Sequence, residues 1–423
     1  QTEEMGKVYQ NIKFFDFDRV AFVVKIRNDF SFTNLDKFDF YYIVRHHGKE
    51  IYKGRIEDIQ AEPGQTVTSP FLNGIPVVNN STGDVRIEFY AAIRTPEPFL
   101  PAGTVIAREQ TYVHTFHKED APKQAFAGSE EDDRQVVFSG PHFKATFDKQ
   151  SGLLVSYRYK KQEYIHNGQG PRPFFWRAPT DNDYGAKLPV RLKAWKEASY
   201  QEPKAESFNV ARDKDTTAVK VTYRFPQTDA RWDITYKVYG NGVIKVDNRF
   251  VAENAQTPMI PRVGLRMQLP ARITSLTYYG RGPEENYRDR RTSQFIGEYT
   301  SGIKDMYEPY VRPQENNHRT DIYWCTLTDK AQEGLLFVAD RTFEMNVSNY
   351  PLESLDSGDS LENGSPRTEK TNHRHLTDPQ PEHSVDFFLD YRMMGVGGDN
   401  SWGALAHEPY LIRPGRQNAI SYG

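Results

Sequence analysis

The stretch RWDITYKVYGNGVIKVDNRFV, residues 231–251, decides the fold class. On both sides of Asn241-Gly242, apolar and polar residues alternate, which is the period of a β-strand with one buried face. An Asn-Gly pair supplies the positive φ angles of a tight two-residue turn. The stretch therefore predicts an antiparallel β-hairpin.

Similar patterns continue through the chain after residue 135. The stretch FKATFDKQSGLLVSYRYKKQEYI (143–165) predicts another hairpin, with its turn at Ser151-Gly152. Only LPVRLKAWKEA (188–198) carries a helical period, over residues 189–197. Residues 135–423 are therefore predicted to form one large antiparallel β-sandwich.

The first part of the chain also has the pattern of short strands. In VAFVVKIRN (20–28) and DVRIEFYAAI (84–93), apolar residues recur at every second position. Turn signals separate such runs at His47-Gly48, Pro63-Gly64, Asn73-Gly74 and Thr82-Gly83. A run of ~100 residues with this pattern fits a seven-strand immunoglobulin-like sandwich, which is predicted over residues 1–117.

The length of the chain requires more than one domain. Its 423 residues exceed the ~250 to 300 residues that a single core can serve, so two or three domains are expected. The segment KEDAPKQAFAGSEEDDR (118–134) is rich in charged and small residues and has no apolar period, which is typical of a linker. A domain boundary is predicted there, and an ordinary surface loop is the alternative.

The composition excludes several classes of partner. A net charge of -3 gives no positive field for a phosphate backbone, so nucleic acid is not expected. No apolar run approaches the ~20 residues that span a bilayer, and the first ten residues lack a signal peptide's features. We expect a soluble protein with no membrane partner, in the cytoplasm or periplasm. The lone Cys325 excludes an internal disulfide and leaves the compartment open.

Two motifs are dense in charged residues. RAPTDND (177–183) offers carboxylate and amide oxygens that suit a hard cation, but Asp and Asn are also common turn formers, and the structural role is preferred. GRGPEENYRDR (280–290) places Glu284 and Glu285 among arginines. Neighbouring strand residues point to opposite faces, so this pair could share one pocket only on an irregular turn, and it is not expected to form a glycosidic acid and nucleophile. A partly buried network of arginines and carboxylates around Tyr287 is predicted instead.

Histidines raise two further alternatives. One alternative is a zinc site formed by His318, His373 and His375, because His at i and i+2 on a strand lie on the same face. The sequence has no His or Cys spacing typical of a zinc site. No metal site is therefore predicted. A His that protonates a ring oxygen beside a carboxylate base would instead suit sugar mutarotation. Glu315, His318, His373 and Asp399 are the residues for that chemistry.

The stretch GVGGDNSW (395–402) places Trp402 after a run of glycines and small polar residues. An exposed indole can stack against the C–H face of a pyranose ring, and galactose offers a suitable apolar face. A packed hydrophobic anchor is the alternative. Trp402, together with Asp399 and Asn400, is the predicted substrate-binding set.

Four stretches together resemble one family. GRGPEENYRDRRTSQFIGEYTSGIKDMYEPYVRPQEN (280–316), RAPTDND, TNHRHL (371–376) and GVGGDNSW are similar to the C-terminal region of glycoside hydrolase family 2 β-galactosidases, in the same order along the chain. The resemblance implies an immunoglobulin-like sandwich followed by a galactose-mutarotase-like supersandwich, an all-β fold. It covers nearly the whole chain.

The resemblance also implies a function. The chain would be the non-catalytic part of a retaining β-galactosidase, with no catalytic residue of its own, because the two catalytic glutamates belong to an upstream barrel. Trp402 would be lent to the barrel's active site, and the segment 184–187 would lie near its entrance. Magnesium and sodium would be bound mainly outside this chain. The partners would be a galactoside and the barrel of the same polypeptide, with a homo-oligomer left open.

Two other functions fit parts of the sequence. A carbohydrate-binding module would use the same exposed indole without turnover. An aldose mutarotase or epimerase would use the histidines and carboxylates named above. A purely structural scaffold would predict neither binding nor turnover.

Overall fold

A computed structural model describes residues 1–71, 83–116, 128–212, 216–253, 258–356, 360–362, 365–367, 375–400, 402–415 and 420–422. Strands account for 49% of the structure and helices for 12%. The sheets are antiparallel, so the predicted all-β fold class is confirmed. None of the helices in this part of the chain is long and apolar enough to cross a membrane.

The chain divides into two compact units. The first consists of Gln1–Lys118, Tyr279–Pro283 and Arg290–Tyr299, and the second consists of Glu119–Tyr278, Glu284–Asp289 and Thr300–Gly423. From sequence, both short segments had been assigned to the later domain. The segment Arg290–Tyr299 is bonded to α1 of the first unit, because Glu4 accepts hydrogen bonds from the amides of Thr292 (2.9 Å) and Ser293 (2.7 Å).

The described residues of the segment Gln1–Lys118 form a helix followed by seven strands. These are α1 (Thr2–Tyr9), β1 (Ile12–Asp18), β2 (Val23–Asn28), β3 (Phe38–His46), β4 (Lys49–Ile56), β5 (Thr66–Pro70), β6 (Val85–Ile93) and β7 (Val105–His114). A short 3₁₀ helix, Leu35–Lys37, precedes β3. The strands form two sheets of order β1-β2-β5 and β4-β3-β6-β7.

The two sheets of the first unit share one hydrophobic core. Phe14 of β1 stacks on Phe89 of β6 with ring centroids 5.6 Å apart, and it meets the edge of Phe40 on β3 at 6.2 Å. His47 and Gly48 take the positive φ angles of the predicted turn between β3 and β4 (47° and 78°). The seven-strand sandwich is therefore confirmed.

Two features of the first unit differ from the sequence expectations. Both faces of β6 are buried, although only one face was expected to be. The charged residues of the strand can be buried because they are paired, Arg86 with Asp84 (2.9 Å) and Glu88 with Arg45 (2.9 Å). Helix α1 was not predicted. It buries no residue, so it leaves no apolar period in the sequence.

The second unit contains most of three larger sheets. Its first part contains β8 (Gly128–Glu131), β9 (Gln135–Ser139), β10 (Phe143–Asp148), β11 (Leu154–Tyr159), β12 (Gln162–Glu163), β13 (Arg172–Phe174), α2 (Asp181–Gly185), α3 (Leu188–Arg191), α4 (Lys193–Tyr200), β14 (Ser207–Arg212), β15 (Thr216–Phe225), β16 (Ala230–Tyr239) and β17 (Ile244–Ala252). Strand β8 lies within the range expected for a linker, of which residues 118–127 lie outside the described residues.

The remaining elements complete these sheets. They are β18 (Arg262–Pro270), β19 (Ser275–Gly282), β20 (Phe295–Gly302), β21 (Arg319–Thr328), β22 (Gly334–Ser348), α5 (Leu352–Leu355), β23 (Ser360–Glu362), β24 (Ser365–Arg367), β25 (Ser384–Met393) and β26 (Ile420–Tyr422). The strand orders are β12-β11-β10-β9-β8, β14-β15-β16-β17-β26 and β13-β18-β25-β22-β21-β19-β20, and β23 pairs with β24.

An aromatic cluster lies in the core of the second unit. The ring of Phe175 is 5.1 Å from Trp195, 4.9 Å from Phe225, 5.5 Å from Trp232 and 5.4 Å from Phe250. The cluster joins α4 to strands β15, β16 and β17. Residues of β16 alternate between buried and more exposed, as the sequence predicted.

The predicted hairpin of β16 and β17 is present, but its predicted two-residue turn is wrong. Tyr239 N donates to Val243 O (2.9 Å), so the turn has three residues, 240–242. Only Gly242 takes a positive φ, of 92°. The side chain of Asn241 instead accepts a hydrogen bond from Val243 N (3.1 Å). The predicted helix over 189–197 is two short helices, α3 and α4, separated at Leu192.

The only cysteine of the chain lies in the seven-stranded sheet. Cys325 is on β21 and is fully buried. Burial raises the pKa of its thiol.

Candidate functional site

The most exposed aromatic side chain of the predicted site is Trp402. Its indole is 90% exposed, so it is not a packed anchor among the described residues. Asn400 shapes the local turn, because its Oδ1 accepts hydrogen bonds from Trp402 N (2.9 Å) and Ala404 N (3.3 Å). Asp399 Oδ1 lies 2.8 Å from His407 Nε2. We call residues 395–400 and 402–407 the Trp402 segment.

A buried arginine holds the start of the Trp402 segment. Arg177 donates to the carbonyl oxygens of Met394 (2.7 Å) and Gly395 (3.0 Å). The same guanidinium forms two hydrogen bonds with Asp183, of 3.0 and 2.8 Å. Burial alone would lower the pKa of Arg177, but Asp183 outweighs it and raises the pKa.

The motif RAPTDND thus has a structural role in the described structure. Thr180 accepts a hydrogen bond from Asp183 N (3.2 Å), and Asp183 accepts one from Thr180 N (3.0 Å), which is a capping box at the start of α2. Because both carboxylate oxygens of Asp183 are occupied by Arg177 and this cap, they are not available to a cation.

The Trp402 segment has two further supports. Asp289 accepts hydrogen bonds from Val396 N (3.1 Å) and Gly397 N (2.8 Å). At the end of α2, the backbones of Gly185 and Gly403 approach so closely that a Cβ on Gly185 would lie 2.8 Å from Gly403 N. Three motifs that are far apart in sequence therefore meet at this segment.

Arg312 covers an aromatic residue of α2. Its guanidinium lies over the ring of the buried Tyr184, 3.9 Å from the ring centroid. Val311, which precedes Arg312 in the sequence, is 86% exposed. A loop that includes Tyr184 was expected near an active-site entrance, and that placement stays a prediction.

A second set of polar residues is enclosed within the second unit. We call it the buried polar cluster, and its members are Arg262, Glu315, His318, Glu344, Asn346 and Asp390. The ring of His318 lies between two oxygens: Nδ1 is 2.9 Å from Asn346 Oδ1, and Nε2 is 3.1 Å from Glu344 Oε2. Tyr287 stacks on the imidazole with ring centroids 5.4 Å apart.

Both carboxylate oxygens of Glu344 accept hydrogen bonds from protein groups. Its Oε1 accepts from Arg288 Nη1 (3.0 Å), and its Oε2 accepts from Met393 N (2.8 Å) in addition to facing His318. Burial alone would raise the pKa of Glu344, but the hydrogen bond from His318 and the charge of Arg288 lower it overall.

Arg262 and Asp390 form the least satisfied pair of the cluster. Arg262 Nε lies 3.2 Å from Asp390 Oδ2, but the geometry is poor for a hydrogen bond. Arg262 Nη2 donates to Asn346 Oδ1 (2.6 Å). Burial raises the pKa of Asp390 to about 7, although Arg262 opposes this. Gly264 leaves room for the carboxylate, since a Cβ there would collide with it.

The structure separates the residues considered for mutarotation. Glu315 and His318 are only 4% and 0% exposed. Both oxygens of Glu315 are occupied, Oε1 by Asn346 Nδ2 (2.8 Å) and Oε2 by Ala178 N (3.3 Å). Asp399 belongs to the Trp402 segment, and His373 lies outside the described residues. The arrangement therefore offers no open face at Glu315 and His318 for a sugar ring.

The paired glutamates also have different environments. Glu285 accepts hydrogen bonds from the Tyr310 hydroxyl and from Asn317 N (2.8 Å), whereas Glu284 is exposed. Strand β19 ends at Gly282, so the pair lies on irregular backbone. Arg288 and Glu344 form part of the arginine and carboxylate network that the sequence predicted around Tyr287.

No group of three or more His, Cys, Asp or Glu residues is arranged to hold a metal ion in the described part of the chain. His375 is exposed, and its backbone N donates to Asp378 Oδ2 (2.8 Å). Asp183 is likewise engaged by Arg177 and the cap of α2 rather than free for a cation.

Sequence reasoning missed several members of the buried polar cluster. Arg262, Asn346 and Asp390 come from β18, β22 and β25, which are paired in the sheet but distant in sequence. One signal was available: charged residues stand inside otherwise apolar strand runs in RVGLRMQLP (262–270) and SVDFFLDYRM (384–393). Buried charges of opposite sign in two strands indicate pairing.

Two family models match this chain. "Beta galactosidase small chain" matches residues 139–422, and "Beta-galactosidase, domain 4" matches residues 24–114. A β-galactosidase of Priestia megaterium is 29% identical over 98% of this chain and 38% of its own length. One of Lactobacillus delbrueckii subsp. bulgaricus is 30% identical over 96% of this chain and 38% of its own length.

A solved structure is similar at a greater distance. Galactose 1-epimerase from Lactobacillus acidophilus NCFM has a TM-score of 0.34 and 9% identity, covering 71% of this chain and 97% of its own. The likeness is too weak to bear on function. The chain spans 38% of the length of the two curated relatives described above.

Proposed function

Because the chain belongs to the β-galactosidase small-chain family, we propose that it is the non-catalytic C-terminal part of a larger β-galactosidase. The whole protein would hydrolyse terminal β-D-galactosides with retention, using two glutamates of a barrel domain on the same polypeptide. This chain would support the barrel and complete its sugar site.

The observation that carries the proposal is the exposed indole of Trp402. The indole is 90% exposed, so its face is open to a ligand. Arg177 and Asp289 hold the start of the Trp402 segment, and Asn400 Oδ1 accepts a hydrogen bond from Trp402 N. An exposed indole in such a segment can stack on the apolar face of galactose.

The carboxylates of this chain support a non-catalytic role. Those of the buried polar cluster are enclosed, and Asp183, Glu285 and Asp289 are occupied by protein donors. A retaining glycosidase needs two carboxyl groups that reach the same sugar. These contacts support the proposal that the acid and the nucleophile lie outside this chain.

The first test is hydrolysis of a chromogenic β-galactoside by the whole protein and by this chain alone. We expect turnover only by the whole protein. In the whole protein, Trp402→Ala should lower kcat/KM by about tenfold to hundredfold, mainly through KM. Phe32→Ala is the matched control, because Phe32 is 97% exposed and lies in the first unit. Turnover by this chain alone would overturn the proposal.

A carbohydrate-binding module is the second candidate, because the same exposed indole could serve binding without a barrel. It predicts that this chain alone binds galactosides at better than millimolar affinity, and that Trp402→Ala abolishes the binding. Titration calorimetry with methyl β-galactoside separates the two functions.

A further inference from the structure

A cleft at the hairpin of β10 and β11 in the second unit is lined by cations. It is open, with a volume of about 480 Å³, and lies where β10 and β11 meet the turn before β12. Its lining residues are Gly140, Pro141, His142, Phe143, Lys144, Arg158, Lys160 and Lys161. The cleft therefore collects four permanent positive charges on a protein whose net charge is -3.

The positive charges of the cleft are poorly neutralised. Glu163 is bonded to Arg158 Nε (3.2 Å), and its other oxygen already accepts backbone N–H groups, including that of Tyr157 (2.9 Å). The ammonium groups of Lys144 and Lys161 make no hydrogen bond or ion pair with any described residue. Both side chains are exposed.

Local geometry at the cleft works against the stability of the hairpin. Lys144 is directly opposite Arg158 across β10 and β11, and like charges in that position repel each other. Lys160 and Lys161 occupy the two-residue turn with φ of 46° and 71°, a conformation that favours Asn and Gly. These four cationic residues disfavour the local fold, yet they all line the same cleft. Such a combination indicates a functional role for the cleft.

We propose that this cleft binds an anionic glycan through its sulfate esters or carboxylates. The Arg158 guanidinium and the three lysine ammonium groups supply donors to such oxyanions. Phe143 is buried and Tyr159 is half-buried, so the cleft lacks the exposed aromatic platforms on which nucleic-acid bases stack. The choice of a saccharide rests on the proposed carbohydrate function, whereas the binding of an anion rests on the cleft itself.

The test is titration calorimetry of the whole protein at low salt with three probes of equal length: a chondroitin sulfate oligosaccharide, a hyaluronan oligosaccharide and neutral dextran. We expect binding of an anionic probe and none of dextran. Preference for chondroitin sulfate would identify sulfate esters as the ligand groups, and equal binding of hyaluronan would identify carboxylates. Binding should weaken at 0.5 M salt, because exposed charges are screened.

The double variant Lys144→Glu/Lys161→Glu should bind the anionic probe at least about tenfold more weakly. Its matched control is Lys220→Glu/Lys330→Glu, which makes the same change of net charge at exposed lysines elsewhere and should bind within about twofold of the unchanged protein. Circular dichroism checks that both variants are folded. If the reversal variant does not fold, Lys144→Gln/Lys161→Gln replaces it.

Several outcomes would overturn the proposal. They are equal weakening in the two double variants, binding of single-stranded DNA as tight as that of the glycan, or full competition by inorganic sulfate at the same charge concentration. Because the readout is binding rather than turnover, a protein that fails to hydrolyse galactosides can still pass this test. The two proposals therefore fail independently.

Discussion

The buried polar cluster and the Trp402 segment belong to the same unit, but they use polar residues in opposite ways. In the cluster, Glu344 and His318 are enclosed and satisfy each other at 3.1 Å. In the segment, the polar groups of Asn400 and Asp289 shape backbone, and the exposed part is an apolar indole. In this unit the motifs that are dense in charged residues form buried structural contacts, whereas the candidate site presents an exposed indole.

The comparison makes a clear division of roles. Changes within the buried polar cluster should lower the free energy of unfolding, and changes at the Trp402 segment should lower galactoside hydrolysis by the whole protein. A change in the buried polar cluster that lowered only hydrolysis, or a change in the Trp402 segment that lowered only stability, would contradict this division.

The largest expected effect comes from Glu344→Ala. It would leave Arg288, His318 and the amide of Met393 without their acceptor, and we expect a loss of about 3–5 kcal/mol in the free energy of unfolding. Urea unfolding followed by circular dichroism measures it. Glu202→Ala, at an exposed position, should change it by less than about 0.5 kcal/mol. A loss below about 1 kcal/mol for Glu344→Ala would contradict the role of the cluster.

The second effect is a pH dependence caused by Asp390. Burial raises its pKa from the usual 3.8 to about 7 in the folded protein, so the folded state binds an extra proton between these two pH values. Stability must then fall as pH rises through that window, by about 2 kcal/mol between pH 5 and 7. The lowered pKa of Glu344 makes stability fall as pH drops below its usual value of 4.5, which is outside the range from pH 5 to 7.

The measurement compares urea unfolding of the unchanged protein with that of Asp390→Asn at pH 5, 6, 7 and 8. The difference between the two proteins should change with pH in the stated direction and level off above pH 7. Groups that also act on Asp390, including Arg262, His318, Glu315 and Glu344, remain in both proteins. A difference that stays constant from pH 5 to 8 would show that Asp390 is ionised throughout.

A smaller effect is expected from Asp289→Ala, which removes two acceptors from the backbone of the Trp402 segment. We expect kcat/KM of the whole protein for a chromogenic galactoside to fall by about tenfold, with a loss of roughly 1 kcal/mol in stability. Asp133→Ala, an exposed position, is the control. If stability fell by several kcal/mol and kcat/KM did not change, Asp289 would belong with the buried polar cluster.

The smallest effect concerns the hydrogen-bonded pair of His407 and Asp399. Although its atoms are 2.8 Å apart, the two side chains are 64% and 78% exposed, so solvent screens the pair. His407→Ala should change the free energy of unfolding by less than about 1 kcal/mol, measured in the same urea experiment. A loss as large as that of Glu344→Ala would remove the contrast between enclosed and exposed charges.

The strand pattern of the fold could be predicted from sequence because alternation is local. The hairpin of β16 and β17 and the strands β2 and β6 follow from every-second-residue periodicity. Turn geometry was less predictable. The Asn241-Gly242 pair predicted a two-residue turn, but the turn has three residues, and the side chain of Asn241 accepts a hydrogen bond from Val243 N. Helix α1, stabilised by polar contacts such as Lys7 with Glu109 (2.7 Å), leaves no such pattern.

The candidate site was predictable only in part. The glycines before Trp402 indicated an exposed segment, but the arginine that supports it, Arg177, lies more than two hundred positions away in sequence. Burial of Glu315 and His318 could not be deduced from their motif, because it depends on Asn346 and Arg262 from other strands. Such contacts are set by sheet order, which alternation alone does not determine.

The buried thiol of Cys325 can serve as a probe of local unfolding in the second unit. It is the only cysteine, it lies within the seven-stranded sheet, and its raised pKa keeps it in the unreactive thiol form. A thiol reagent can therefore label the native protein only when that sheet separates around β21. Labelling kinetics, read by mass spectrometry, would time this opening in the unaltered protein, without an engineered probe.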